Sequence, residues 1–242
     1  MADRFYSPDP PTQGRITLRD DEARHLARVR RVVVGESVEL FDGAGTVHRA
    51  IVGRIDKGSV DLDIIESAYF DRSSAIGLTL AIAAPKGDRL DWLVEKATEI
   101  GVSRLMLIAT ERSVVDPGRA KLERLRRTIV EASKQCGRNR LMELSSGVKW
   151  IDLIETTSVA ETRVVADPGG VAPRFWPRTE DGGGATIGVG PEGGFTRDEI
   201  DRAAAAGWII VSTGESLLRI ETAGIVAASM ILAHVDIIKG ET

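Results

Sequence analysis

The chain has 242 residues, of which 43% are hydrophobic and 28% are charged. This balance is ordinary for a globular protein and excludes a disordered chain or a coiled coil. The most apolar stretch, residues 225–233, is too short for a membrane span, which needs about 20 apolar residues. A single cysteine excludes an intrachain disulfide. The three histidines lie far apart and match no zinc-binding spacing. Because the first residues also lack the apolar core of a secretion signal, we expect a cytoplasmic protein without metal.

The charges are unevenly distributed along the chain. The net charge is −4, which argues against nucleic-acid binding when the chain is taken as a whole. Residues 112–140 nevertheless hold nine Lys or Arg against three acids, and residues 15–31 hold six Arg against three acids. Such stretches could hold a phosphate backbone if they share a face, or they could be solvated helix faces.

The first 70 residues have the pattern of a small β-rich domain. Short runs that contain β-branched residues are separated by glycine turns. These runs are residues 32–34, 37–41, 47–55 and 59–65. Their regular spacing predicts a small barrel. Three acids at the start of residues 20–29 favour a helix there, because carboxylates stabilise a helix N-terminus.

Beyond about residue 74 the pattern changes to strands that alternate with helices. Apolar runs predict strands, and apolar residues at helical spacing predict helices. The predicted strands are residues 78–84, 104–109, 162–166, 185–189 and 208–212, and the predicted helices are residues 88–100, 119–136, 196–206 and 220–238. Thr196 and Glu199 form a capping box in front of the third helix. The alternation predicts an α/β domain with a mostly parallel sheet and helices on its faces.

The first candidate ligand loop follows the strand at residues 185–189. Gly188, Gly190 and Gly193 match the G-x-G-x-x-G pattern of dinucleotide-binding proteins, and an acid, Glu215, follows further on. That fingerprint normally belongs to the first strand of a doubly wound domain, whereas fewer than 60 residues follow it here. An NAD(P)-binding oxidoreductase is therefore kept as an alternative, beside a tight turn that binds no ligand.

The second candidate loop, residues 214–219, also lies between a strand and a helix. Two loops at the carboxyl ends of neighbouring parallel strands would lie side by side, which is where such sheets bind ligands. Leu217, Leu218 and Ile220 could enclose an adenine ring. They could equally be core residues, with Arg219 and Glu221 as a surface ion pair.

A third motif, residues 135–140, follows the basic helix. Arg138 and Arg140 flank Asn139 directly after Gly137, and this arrangement suits contacts to RNA phosphates or bases. Solvated arginines are the other interpretation.

Several motifs together resemble the SPOUT methyltransferases, and among them the RsmE group of 16S rRNA uridine-N3 methyltransferases. The most specific are the GPEGG stretch at 190–194 with Phe195-Thr196-x-x-Glu199, and the stretch Leu218-Arg219-x-Glu221-Thr222-Ala223. The others are His25-Leu26-x-x-Val29-Arg30-Arg31, Phe41-Asp42-Gly43, Glu95-Lys96-x-x-Glu99-Ile100-Gly101 and Glu131-x-x-x-Gln135-Cys136-Gly137-Arg138. They run in family order from about residue 5 to residue 235, so the resemblance covers nearly the whole chain.

The resemblance implies a fold and an activity. It implies a PUA-like, RNA-binding β-barrel in residues 1–71 and a SPOUT domain in residues 72–242, whose parallel sheet holds a deep trefoil knot. It implies a homodimer, packed through the final helix, that acts on 16S rRNA of the small ribosomal subunit. It also implies transfer of a methyl group from S-adenosylmethionine to N3 of a uridine. A non-catalytic RNA-binding protein is the remaining alternative.

The resemblance also implies which residues form the site. The cofactor residues are Gly190, Pro191, Glu192, Gly193, Gly194, Gly214, Ser216, Leu217, Leu218 and Arg219, with a third loop expected at residues 167–169. The candidate catalytic residues are Arg138, which is expected to orient the uridine, and Arg219 and Glu221. The candidate RNA-binding residues are Arg4, Arg30, Arg31, Gln135, Arg138 and Arg140. Glu192 is expected to accept backbone N–H bonds within the knot, and Arg219 and Glu221 are expected to pair with each other.

Overall fold

The computed structural model describes residues 3–70, 76–179 and 183–239, with their side chains except at 28–30 and 234–239. The chain packs as two compact units. The first comprises Met1–Ser73 and Ser133–Leu141, and the second comprises Ser74–Ala132 and Met142–Thr242. The boundary expected between residues 71 and 72 lies outside the described residues.

The N-terminal unit is built on a five-stranded sheet. Its strands are β1 (Arg4–Tyr6), β2 (Arg15–Arg19), β3 (Ser37–Phe41), β4 (Thr46–Ile55) and β5 (Ser59–Tyr69). Their order is β1-β3-β4-β5-β2, with β1 parallel to β3 and the other pairs antiparallel. Because successive side chains of a strand face opposite sides, one face supplies a core, in which Phe5, Leu40, Val52 and Leu62 are fully buried.

Two predictions for this unit differ from the structure. Residues 32–34 form no strand, because they lead into a turn in which the Glu36 amide donates to the carbonyl of Val33 at 3.1 Å. The helix predicted over residues 20–29 is α1 (Asp20–Arg24) followed by a π-helical segment, His25–Arg30. That segment ends at Arg31, whose φ of 54° is left-handed and stops the helix. The short strands β1 and β2 were not predicted.

The second region is α/β, as the sequence predicts. Its strands are β6 (Gly77–Ala83), β7 (Arg104–Ala109), β8 (Glu143–Lys149), β9 (Thr162–Val171), β10 (Gly184–Val189) and β11 (Ile209–Val211). Its helices are α2 (Arg89–Ile100), α3 (Arg119–Cys136), α4 (Trp150–Thr156), α5 (Arg197–Ala205) and α6 (Ile220–Lys239). All strand pairs of the sheet are parallel, in the order β11-β9-β10-β6-β7-β8. The edge strand β8 and helix α4 were not predicted.

An aromatic cluster fixes the end of β10. Trp150 of α4 stacks on Phe195 with ring centroids 4.7 Å apart, and its edge meets Trp208 at 5.1 Å. Gly188 lies directly against Trp150, because a β-carbon at this position would be 2.4 Å from the indole. The cluster therefore anchors both sides of the loop that follows β10, since Gly188 precedes the loop and Phe195 ends it.

Candidate active site

A cavity of about 630 Å³ lies at the carboxyl ends of β9, β10 and β11, which are neighbours in the sheet. This edge is where open parallel sheets bind ligands. The volume falls within the range of small-molecule sites, roughly 300–1,000 Å³. All ten residues that the sequence assigns to the cofactor loops line the cavity.

The loop after β10, residues 190–194, folds back sharply on itself. The Gly194 amide donates to the carbonyl of Pro191 at 2.8 Å, which closes a turn. A β-carbon at Gly190 would lie 2.9 Å from the amide nitrogen of Phe195, closer than real side chains approach. Only glycine therefore fits at residue 190, and the backbone of the loop forms part of the cavity wall.

The loop after β11, residues 212–219, forms the opposite part of the wall. It begins where the Ser212 hydroxyl donates to the carbonyl of Gly214 at 2.9 Å. Leu217 and Leu218 line the cavity. Leu217 is largely exposed, at 82% of its full accessible area. The interpretation of these leucines as core residues is therefore wrong, and they present an apolar surface to the cavity instead.

Of the third expected loop, residues 167–169, two residues line the cavity and Gly169 does not. Asp167 and Pro168 line the cavity, although they lie within β9. The pairing of β9 with β11 jumps from Val165 opposite Ile210 to Val171 opposite Val211. The residues between bulge out of the ladder, which is why a strand reaches Val171 and still contributes a loop to the site.

Residues that follow β7 support the loop after β10 from outside the cavity. The Arg112 guanidinium donates to the carbonyl of Gly193 at 2.7 Å. One carboxylate oxygen of Glu199 accepts from the Glu111 amide at 2.9 Å, and the other accepts from the Thr196 amide at 2.8 Å. The predicted capping box of α5 is thus present. The backbone-accepting role that was expected of Glu192 belongs to Glu199.

Arg89 is a cavity residue that the sequence reasoning missed. Its guanidinium lies 3.4 Å from a carboxylate oxygen of Glu192 and 3.7 Å from one of Glu221. Arg219 lines the cavity and is exposed. The expected Arg219–Glu221 pair is therefore replaced by Arg89–Glu221. No local motif signals this contact, since its two partners are 132 positions apart in the sequence.

The candidate catalytic residues have different settings. Arg219 lines the cavity, whereas Glu221 is buried at the start of α6 and is not among the lining residues. Arg138 belongs to the N-terminal unit, is only 5% exposed, and is not a lining residue either. Of the three, Arg219 is the one that a bound molecule can reach directly.

The candidate RNA-binding residues also separate into two groups. The Arg4 side chain is buried, forms an ion pair with Glu39 at 2.6 Å and donates to the carbonyl of Ser133 at 3.3 Å. Buried Arg4 and Arg138 do not fit a phosphate contact, because such a contact needs exposed donors. Arg31, Gln135 and Arg140 are exposed and do fit it. The side chain of Arg30 lies outside the described residues.

The dinucleotide-binding alternative finds little support in the structure. Gly188, the first glycine of the dinucleotide pattern, lies within β10 against Trp150 and does not line the cavity. Among the described residues, no group of His, Cys, Asp or Glu could hold a metal ion. Of the described helices, none is both long and apolar enough to cross a membrane.

Comparisons with known proteins agree with this architecture. The family described as "RNA methyltransferase domain" matches residues 72–232, and "RNA methyltransferase PUA domain" matches residues 18–65. A relative from Synechocystis sp., ribosomal RNA small subunit methyltransferase E, is 30% identical over 98% of this chain and 79% of its own length.

Two solved structures show the same fold with S-adenosylmethionine bound. The ribosomal RNA small subunit methyltransferase E of Neisseria gonorrhoeae is 27% identical, with a TM-score of 0.86 over 96% of this chain and 98% of that chain. A methyltransferase of Legionella pneumophila is 28% identical, with a TM-score of 0.87 over the same shares. The chain belongs to the RNA methyltransferase family, in the group of the ribosomal RNA small subunit methyltransferase E proteins.

Proposed function

We propose that this protein transfers a methyl group from S-adenosylmethionine to N3 of a uridine in the 16S rRNA of the small ribosomal subunit, in the cytoplasm. The observation that carries the proposal is the single cavity wall built from residues 190–194 and 214–219. Its relatives named in the comparisons act on small-subunit rRNA, and two of the similar structures hold S-adenosylmethionine.

The residues of the cavity fit the chemistry of this cofactor. Leu217 and Leu218 offer apolar surface to an adenine ring, and the polar backbone of both loops suits a ribose. Glu215 lines the same cavity, and a carboxylate suits the ammonium and sulfonium cations of the cofactor. When bound, S-adenosylmethionine supplies a methyl group already activated on sulfur, so the protein contributes position and electrostatics.

Arg219 is the proposed residue on the substrate side. The uracil N3 is a weak acid that must pass its proton to water or a carboxylate as it accepts the methyl group, and negative charge spreads onto the neighbouring carbonyl oxygens when the proton leaves. A guanidinium that lines the cavity can donate to one of those oxygens and stabilise the charge as it develops. Glu221 acts through Arg89 in this proposal, because it is buried and paired there.

The N-terminal unit supplies the proposed RNA contacts. Arg31, Gln135 and Arg140 are exposed on it, and the Arg140 guanidinium donates to the Tyr69 hydroxyl at 2.9 Å. Exposed arginines and aromatic side chains are the groups that contact phosphates and unpaired bases of RNA. Arg138 remains a proposed positioning residue of this segment.

A homodimer and a deep trefoil knot belong to the same proposal, because both follow from the family resemblance. Sedimentation equilibrium tests the dimer: we expect twice the chain mass of 26.1 kDa, and a monomer at micromolar concentration would contradict it.

The decisive experiment maps the modified nucleoside. Small subunits that lack the modification are incubated with the protein and S-adenosylmethionine carrying an isotope-labelled methyl group, and their rRNA is digested for mass spectrometry. We expect labelled 3-methyluridine in 16S rRNA. Label on another nucleoside, or none, would contradict the proposal. Calorimetry that detects NADH binding but no S-adenosylmethionine binding would favour the oxidoreductase alternative.

A further inference from the structure

One guanidinium joins three distant segments at the cavity. Arg89 begins α2, Glu192 lies in the loop after β10, and Glu221 lies in the first turn of α6. One terminal nitrogen of Arg89 contacts Glu192 at 3.4 Å and the other contacts Glu221 at 3.7 Å. Arg89 and Glu192 both line the cavity, together with Ile220, the neighbour of Glu221.

The two carboxylates differ in their dependence on Arg89. The side chain of Glu221 is 8% exposed, and one of its oxygens has no hydrogen-bond partner among the described residues. A buried charge of this kind is costly when its partner is removed. The side chain of Glu192 is 44% exposed, so water can replace Arg89 there at little cost. Removal of Arg89 would therefore cost more at buried Glu221 than at Glu192, although the shorter contact, at 3.4 Å, is the one to Glu192.

We infer that Arg89 is a positioning residue of the cofactor site: through Glu221 and Glu192 it ties the loop at residues 190–194 to the start of α6. The inference rests on the proposed function, because it assigns the cavity to S-adenosylmethionine. Holding a loop in its binding conformation raises affinity, since the ligand no longer has to order that loop. The loop is already held at Gly190 by close packing and at Gly193 by a hydrogen bond from Arg112. Arg89 adds a contact to Glu192, which lies between these two glycines.

The planar guanidinium suits this task better than an ammonium group would. Its two terminal nitrogens point to different carboxylates at the same time, whereas a lysine presents a single point charge. We therefore expect lysine at this position to neutralise Glu221 and to hold Glu192 poorly.

The test separates positioning from the neutralisation of a buried charge. Four variants, Arg89→Met, Arg89→Lys, Glu192→Gln and the double variant Arg89→Met/Glu221→Gln, are compared with wild type for S-adenosylmethionine Kd and for Tm. Arg89→Met should weaken binding at least tenfold and lower Tm. The double variant should regain Tm, because no buried charge remains, and should still bind weakly. Arg89→Lys should keep Tm and bind several-fold more weakly than wild type. Glu192→Gln should keep Tm and lose several-fold in affinity.

A matched control comes from another surface pair of the same unit. Arg104 pairs with Glu143 at 3.1 Å and does not line the cavity, so Arg104→Met should leave Kd unchanged. If the double variant regains both Tm and affinity, Arg89 only neutralises Glu221 and the inference is wrong. It is equally wrong if Arg89→Met binds like wild type. Failure of the wild type itself to bind S-adenosylmethionine would instead overturn the proposed function.

Discussion

Gly190 and Gly193 lie in the same loop and have different steric surroundings, which makes them a matched pair. A β-carbon at Gly190 would lie 2.9 Å from the Phe195 amide nitrogen, whereas one at Gly193 would lie 3.4 Å from Arg112, an ordinary contact. Gly190→Ala should therefore displace the loop and weaken S-adenosylmethionine binding about tenfold, or about 1.4 kcal/mol. Gly193→Ala should change Kd little. Calorimetry measures both Kd values. Equal values for the two variants would show that the close packing at Gly190 does not determine cofactor affinity.

At this scale, sequence reasoning succeeds where the site is built from contiguous residues. The loops at 190–194 and 214–219 are visible as glycine-containing segments between a strand and a helix, and all of their predicted residues line the cavity. Arg89 was not predicted, because its role depends on a contact between helices that are far apart in the sequence. The burial of Arg4 and Arg138 was missed for the same reason, since both pack within a unit assembled from separate segments.

The capping box of α5 gives a prediction at the scale of an element. The Thr196 hydroxyl accepts from the Glu199 amide at 3.3 Å, which satisfies one free donor of the first turn. Thr196→Ala should cost about 1 kcal/mol of unfolding free energy. That loss should lower Tm by about 2–4 °C for a domain of this size. Differential scanning calorimetry measures the shift. Exposed Thr156, which bonds only within α4, is the control: Thr156→Ala should leave Tm nearly unchanged, and equal shifts would contradict the prediction.

The contact between α2 and α3 predicts a dependence of stability on pH. Burial alone would raise the pKa of Asp91, but hydrogen bonds from Lys121 and Arg124 outweigh it and hold the pKa below its ordinary value of 3.8. Ionised Asp91 therefore stabilises the fold above about pH 4, and this contribution is lost as the pH falls through the lowered pKa. Asp91→Asn should be less stable than wild type at pH 7, and the difference should shrink below pH 4.

Urea unfolding at several pH values tests this expectation. Asp201→Asn removes an exposed i,i+4 pair with Arg197 and serves as the control, because surface pairs contribute little. A difference between wild type and Asp91→Asn that stays constant from pH 7 to pH 3 would show that the hydrogen bonds to Asp91 do not depend on its ionisation.

Whole elements were predictable in proportion to their periodicity. The apolar stripe of α3 predicts residues 119–136, which are the bounds observed. Strand β8 was missed because it is an edge strand, with Ser145, Ser146 and Gly147 in place of an apolar run. The helix at residues 20–29 was predicted as regular, and nothing in a periodic pattern distinguishes α-helical from π-helical hydrogen bonding.

For the molecule as a whole, the sequence indicates a change of architecture near residue 74 but not the assembly of the units. Residues 133–141 pack with the N-terminal unit. They comprise the last turn of α3 and the residues after it, although α3 begins in the second unit. Lys134 illustrates the cause: it forms an ion pair with Glu22, 112 residues earlier in the sequence. Contacts over such distances leave no local signal. Part of the basic stretch that could have been a solvated helix face is therefore internal to a unit.

Exposed arginines from both basic stretches, residues 15–31 and 112–140, predict how RNA binding depends on salt. Each phosphate contact that releases a counterion contributes about 0.7–0.9 to the slope of log K against log salt concentration. Arg31→Gln/Arg140→Gln removes two exposed guanidinium groups of the N-terminal unit. The double variant should bind small subunits more weakly and with a slope smaller by about 1.5, while the Kd for S-adenosylmethionine stays unchanged. Filter binding at several salt concentrations measures the slope. Arg197→Gln, an exposed arginine of α5, should leave it unaltered. An unchanged slope in the double variant would mean that the RNA contacts lie on another surface of the molecule.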